Sequence, residues 1–308
     1  MIPPEDQTRD PVSGASREVS QETDGSRGVE RHSATRLGVR ISLPHYHKDP
    51  AMAEAMSFDR AADYYDATRA LSPMVEAAVT ELLSAELAGR GRCLEIGVGT
   101  GRIAVPLWRA GVPMAGIDLS RAMMLRIAVK AGGEPPFPLA QADATRLPFG
   151  ASSFGGAIAC HVLHLIPAWR EAVAELLRVL RPGGVFLMES RAGRREQGEI
   201  DRVFHGAAGV APPHEGLHEM AELDGVLQRA GATLRLLPPV VEEQTTTLEA
   251  AIERLASGRF SGTWHLSDAQ RMTAAEQTRR WARERFGPLD APRSVTHTIV
   301  WRAYTLPA

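Results

Sequence analysis

Arg92-Cys93-Leu94-Glu95-Ile96-Gly97-Val98-Gly99-Thr100-Gly101-Arg102 is the stretch whose reading decides the fold. Cys93 to Ile96 is an apolar run of strand length. Three glycines at every second position follow it, and a helical run from Arg102 to Arg109 comes next. A strand, a glycine turn and a helix start together form a nucleotide-binding unit. Glycine admits positive φ and lets a ligand approach the backbone. The free N–H groups and dipole of the helix start favour negative or hydroxyl-rich groups.

The spacing discriminates between ligands. A dinucleotide fingerprint is G-x-G-x-x-G, whereas here the glycines fall as G-x-G-x-G and Arg102 takes the place of the third dinucleotide glycine. Glu95 stands two residues before the first glycine, where it could meet an amino group. Glu95 to Gly101 resembles motif I of the class I S-adenosylmethionine (SAM)-dependent methyltransferases. The resemblance implies SAM as cofactor, with Glu95, Gly97, Gly99 and Gly101 forming part of its site.

The flanking sequence extends the pattern. Pro113 to Ile117 reads as a second strand ending in Asp118-Leu119-Ser120. A carboxylate at that strand tip accepts hydrogen bonds from ribose hydroxyls in either a dinucleotide or a SAM site, so Asp118 and Leu119 join the cofactor set. The other reading of Asp118 is a cap for the helix from Ser120 to Ala131. Phe137 to Gln141 is a third strand, followed by Asp143-Ala144-Thr145-Arg146-Leu147-Pro148-Phe149. This string resembles the third motif of the family, which implies that Asp143 and Ala144 contact the adenine. An ordinary Asx turn is the local alternative.

Ala157 to Cys160 is a fourth strand, with His161-Val162-Leu163-His164 at its end and a helix from Pro167 to Leu180 after it. His161 and His164 are the candidate general bases, since imidazole titrates near neutral pH; His161 is also a candidate for lining the cofactor pocket. The family often has an aspartate directly after the Ser-Phe pair, but Ser153-Phe154 is followed here by Gly155-Gly156. Arg181-Pro182-Gly183-Gly184 reads as a turn into a fifth strand, Val185 to Ser190, and is another family signature.

Upstream, Phe58-Asp59-Arg60-Ala61-Ala62-Asp63-Tyr64-Tyr65-Asp66 resembles the helix that closes over the cofactor in this family, which implies a cofactor contact for Tyr65. Residues 52–88 read as helical, with Ser72 capping a second helix from Pro73 to Leu87. Downstream, 191–217 reads as irregular. Glu219 to Ala230 reads as a helix and Thr233 to Leu237 as a strand. Residues 239–293 read as a helical cap containing Thr247 to Gly258 and Asp268 to Phe286. Val295 to Tyr304 reads as the closing strand.

The expected fold is therefore α/β: a Rossmann-like doubly wound sheet of seven strands, the last antiparallel, with a helical cap. Residues 1–51 are expected to be a disordered tail, being polar and without apolar period; the alternative is that translation begins at Met52 or Met56. Residues 52–308 form the methyltransferase domain, with cap insertions at 191–217 and 239–293. The resemblance is strongest to the branch containing ubiquinone and menaquinone biosynthesis enzymes.

Composition bounds the partners. The 308 residues are 44% hydrophobic and carry a net charge of −2, which gives no general electrostatic attraction to nucleic acid or anionic membrane. No apolar run reaches membrane-spanning length, and the N-terminus lacks a signal-peptide core. Two cysteines, Cys93 and Cys160, both in expected core strands, point to a reducing cytoplasm. His45 with His47, and the spread His205, His214 and His218, match no common zinc spacing, so no metal is expected. The expected function is methyl transfer from SAM to a small-molecule acceptor. That choice rests on the absence of a basic domain and of an N-P-P-Y-type motif after the fourth strand. A SAM-binding protein without turnover and an NAD(P)-dependent oxidoreductase are the alternatives, and oligomeric state is left open.

Overall fold

The structure is a computed structural model and describes residues 56–191, 195–210 and 215–308. The expected tail at 1–51, with His45 and His47, and also His214, lie outside the described residues.

In chain order the elements are α1 (Tyr65–Arg69), α2 (Pro73–Leu87), β1 (Cys93–Ile96), α3 (Ala104–Arg109), β2 (Met114–Asp118), α4 (Arg121–Lys130), β3 (Leu139–Gln141) and β4 (Phe154–Ala159). Then come α5 (Trp169–Val179), β5 (Leu180–Arg191), α6 (Arg195–Ala208), α7 (Met220–Arg229), β6 (Thr233–Leu236), β7 (Val240–Thr246), α8 (Leu248–Ala256), α9 (Asp268–Phe286) and β8 (Arg293–Thr305). The sheet runs β3-β2-β1-β4-β5-β8-β6, with β7 also paired to β8. The first five strands are parallel, and β8 is antiparallel to β5, β6 and β7.

The strand order reverses between β1 and β4, since β1 pairs with β2 on one side and β4 on the other. A crevice opens outside the carboxyl ends of strands at such a point. Both strands are buried along their whole length, as befits a parallel sheet covered on both faces. Leu94 and Ile96 face a core completed by α5 and α7, including Trp169, Val173 and Leu227. Cys93 faces the opposite core, built with Val79 and Leu83 of α2, Leu107 of α3 and Ile127 of α4. A third cluster joins Phe204 of α6, Ile252 of α8 and Ala275 of α9 into the cap.

Three sequence expectations need correction. The sheet has eight strands rather than seven. Residues 233–246 run along β8 as one path interrupted at Pro238-Pro239, so that Leu236 pairs with Arg302 and Val240 with Ile299. Proline cannot donate to a ladder, and the pair masked a strand that continues beyond it. The region 239–293 is accordingly a strand plus helices, not a wholly helical cap. The segment read as irregular contains helix α6, whose Ile200 and Phe204 are fully buried against α8 and α9. Its helical character depends on packing partners far away in sequence.

The departure at Gly155 has a steric cause. A Cβ there would lie 1.6 Å from the Arg90 carbonyl oxygen, because β4 passes close beneath the loop before β1. Gly155→Asp is expected to destabilise the fold by about 3 kcal/mol or more, measured as a fall in the urea midpoint. A midpoint equal to that of the parent would refute this packing account.

Candidate active site

The glycine turn after β1 is fixed by its own backbone. Gly97, Gly99 and Gly101 have φ of +64°, +52° and +76°, the left-handed region. A Cβ on Gly97 would sit 2.5 Å from Val162 Cγ2, so the turn after β1 and the loop after β4 touch only because residue 97 has no side chain. At Gly101 a Cβ would meet Val105 at 2.6 Å and Ile127 at 3.0 Å. That glycine therefore serves helix packing and does not face the crevice.

Asp118 ends β2 and binds the turn across the crevice. Gly99 N–H donates to its Oδ2 at 2.8 Å, and Ser120 N–H donates to its Oδ1 at 2.7 Å. Burial pushes its pKa up to about 6, against the opposing pull of the Ser120 and Gly99 amides. The helix cap weighed for Asp118 is supplied instead by Ser120, whose hydroxyl accepts from Met123 N–H. Asp143 forms the Asx turn, accepting from the Thr145 amide and hydroxyl through Oδ1, both at 2.8 Å, and it also borders the crevice.

The segment before α2 forms the outer wall. Asp59 accepts from Ser120 Oγ at 2.5 Å, and Asp66 accepts from Thr100 Oγ1 at 2.6 Å and pairs with Lys130 at 2.8 Å. These bonds bring Phe58 and Tyr65, in edge contact at 6.1 Å, to the crevice. Burial raises the Tyr65 pKa, so its phenol stays protonated at neutral pH.

The result is a cleft at the carboxyl ends of β1, β2 and β4, open to solvent on one side. Of the residues singled out in the sequence, Tyr65, Gly97, Gly99, Asp118 and Leu119 line it, as do Asp143, Ala144 and His161. Three do not. Gly101 is turned into the packing of α3 and α4. Glu95 lies behind the turn, 2% exposed, accepting from the Ala104 amide; burial, partly offset by Arg102, pushes its pKa up to about 8. His164 lies in the short turn Leu163–Leu165, where its carbonyl accepts from Gly216 N–H, and it lines neither this cleft nor the wider one beside it. Sequence reading missed Phe58, Met123 and Val162, which also border the cleft. Only their places beside the motifs signal them.

The lining suits a ribonucleoside. The Asp118 carboxylate lies where ribose hydroxyls can donate, Asp143 and Ala144 border the next strand tip, and Leu119 and Met123 give apolar flanks for a base. Residues 94–188 match the family described as a methyltransferase domain. This stretch is similar to the SAM-binding core of the class I methyltransferases.

A phosphatidylethanolamine N-methyltransferase of Cereibacter sphaeroides is 36% identical to this chain over 107 residues, covering 34% of this chain and 52% of the relative. A demethylmenaquinone methyltransferase of Clavibacter sepedonicus is 32% identical over 141 residues, covering 44% and 57%. The chain thus spans about half the length of the curated relatives it matches. The solved structure of the YcgJ protein from Bacillus subtilis superposes with a TM-score of 0.53 at 20% identity, over 75% of this chain and 99% of that one, a likeness of fold. No helix among the described residues is long and apolar enough to cross a membrane.

The loop after β4 carries one more cluster. His161 Nε2 lies 3.1 Å from Glu189 Oε1 and 3.0 Å from Oε2. The Cys160 thiol donates to the same carboxylate, and Arg102 lies 3.0 Å from Cys160 Sγ and 3.5 Å from Glu189. His161 has φ +55°. Among the described residues, Cys160, His161 and Glu189 are the group spaced for a metal ion, and His205 and His218 take no part in it.

Asp118→Ala removes the carboxylate expected to meet the ribose. We expect a loss of SAM affinity of about 10- to 100-fold, since hydrogen bonds to charged groups contribute about 1.5–3 kcal/mol. In the parent, affinity should fall as pH drops through about 6, where Asp118 gains its proton. Calorimetric titration from pH 5 to 8 checks both, and an Asp118→Ala protein with parental affinity would refute the assignment.

Proposed function

We propose that the protein transfers the sulfonium methyl of SAM to a small-molecule acceptor. The carrying observation is that two clefts meet at a single residue. The cofactor cleft and a second, wider cleft of about 600 Å³ share His161 and no other lining residue among those described. The second cleft lies between residues 68–71, α6, α8 and the paired strands β7 and β8. It is the acceptor chamber.

Bound SAM supplies an activated methyl on a cationic sulfur. The chain's own task is to hold two molecules in line, and orientation of this kind contributes up to about 7–11 kcal/mol in well-aligned systems. Asp118 orients the ribose, Asp143 and Ala144 border the adenine, and Phe58 and Tyr65 cover the cofactor. The cluster of α6, α8 and α9 supports one wall of the chamber. The acceptor class is read from this chamber, because the relatives named above act on acceptors as different as a lipid amine and a quinone precursor. Two free, buried cysteines support a cytoplasmic setting.

Calorimetry with SAM and with S-adenosylhomocysteine should show binding of both near micromolar, about −8 kcal/mol. A folded protein that binds neither would overturn the proposal. Ala250, on the chamber side of α8, is exposed. Ala250→Phe should leave SAM affinity within about twofold while suppressing product formation, since a phenyl ring there narrows only the acceptor side.

A further inference from the structure

The chamber's charges balance. Arg69 and Arg254 supply two guanidinium groups, Asp201 and Glu242 two carboxylates, and Phe260 lies between the two arginines with centroid distances of 3.9 Å and 5.0 Å. Such a wall does not select an ion. A cationic acceptor calls for net acidity and an anionic one for net basicity. The inner end of the chamber is His161, and behind His161 stands Glu189, 4% exposed at its side chain.

A carboxylate can only accept, so the Nε2 that lies within 3.1 Å of Glu189 carries the hydrogen. The lone pair then belongs to Nδ1, which is the proton-accepting atom of the ring. Arg102, close to both Cys160 and Glu189, favours the charged form of the carboxylate, as an opposite charge at this range does. The same guanidinium argues against an ion held by Cys160, His161 and Glu189, because it places a fixed positive charge beside that position.

We propose that Glu189 positions His161 as the proton acceptor for a neutral, hydroxyl-bearing acceptor in the second cleft. The inference rests on the methyl-transfer reading above and adds the acceptor's chemistry. The hydroxyl oxygen forms its bond to the methyl carbon. The carbon–sulfur bond breaks and its electron pair stays on sulfur, which leaves S-adenosylhomocysteine. The hydroxyl proton passes to His161 Nδ1, and the imidazolium so formed faces the Glu189 carboxylate until the proton goes to water. A carboxylate acceptor is already ionised and needs no such base. An acceptor bound as an ammonium ion would not be favoured by a wall of zero net charge.

The test uses the full chain, methyl-tritiated SAM and four probes: phenol and catechol as hydroxyl acceptors, benzylamine and benzoate as the competing classes. Label is expected on the oxygen of phenol or catechol. Glu189→Gln should lower kcat about 10- to 100-fold and His161→Ala about 100-fold or more, the range of general-base contributions. In Glu189→Gln the SAM dissociation constant and acceptor KM should stay within about threefold, and Glu189→Asp should recover part of kcat. A merely structural role would move SAM affinity along with kcat. Four results overturn the proposal: label only on benzylamine or benzoate, no label on either hydroxyl probe by a protein that binds SAM, parental kcat in Glu189→Gln, or activity lost to a chelator and restored by one equivalent of zinc. Failure to bind SAM at all would overturn the earlier reading instead.

Discussion

Two backbone amides converge on the carboxylate of Asp118, and the site depends on that convergence. Gly99 N–H reaches it from the turn after β1, and Ser120 N–H reaches it from the start of α4. The bond to Gly99 holds the glycine turn at the edge of the crevice. The bond to Ser120 sets the start of α4, whose Met123 borders the cleft. Asp59 and Asp66 repeat the device from outside, gripping Ser120 and Thr100 so that one short segment covers the cleft. Few interactions are involved, and each joins parts of the chain that the sheet has already brought together.

Much of this was legible in the sequence because it is local. A cleft-lining residue at a strand tip ends its own strand or follows it by one or two positions, so Asp118, Asp143 and His161 announce themselves once β2, β3 and β4 are recognised. The glycine turn is legible for the same reason, since positive φ is written in residue type. Glu189 was not legible. It sits in an apolar strand, and its meaning comes from the pairing that sets Ala159 beside Met188 and so brings Cys160 next to it. Arg102 served only as a spacing argument, although its side chain reaches Cys160 and Glu189. Cys160 reads as a small apolar core residue until that pairing is known. Glu95 is a different case, because its alternation with Leu94 and Ile96 turns it inward, toward the start of α3.

The cap shows the same division. Helix α9 was found to the residue, helped by a Ser267–Gln270 capping box that fixes its start. Helix α6 and strand β7 were missed because each is stabilised by long-range partners, α6 by burying Phe204 under α8 and α9, and β7 by pairing along the protruding half of β8. These are the elements that shape the second cleft. The second cleft is therefore the least legible part of the protein, although the residue where it meets the first, His161, is a histidine visible in the sequence.

The backbone at His161 adopts a left-handed conformation that histidine tolerates less readily than glycine. A glycine there would relieve the strain, and it would also delete the imidazole where the two clefts meet. Selection for heat tolerance and selection for turnover thus pull position 161 in opposite directions. A laboratory evolution experiment scored on stability alone would drift toward a sturdier, chemically silent protein at this one site.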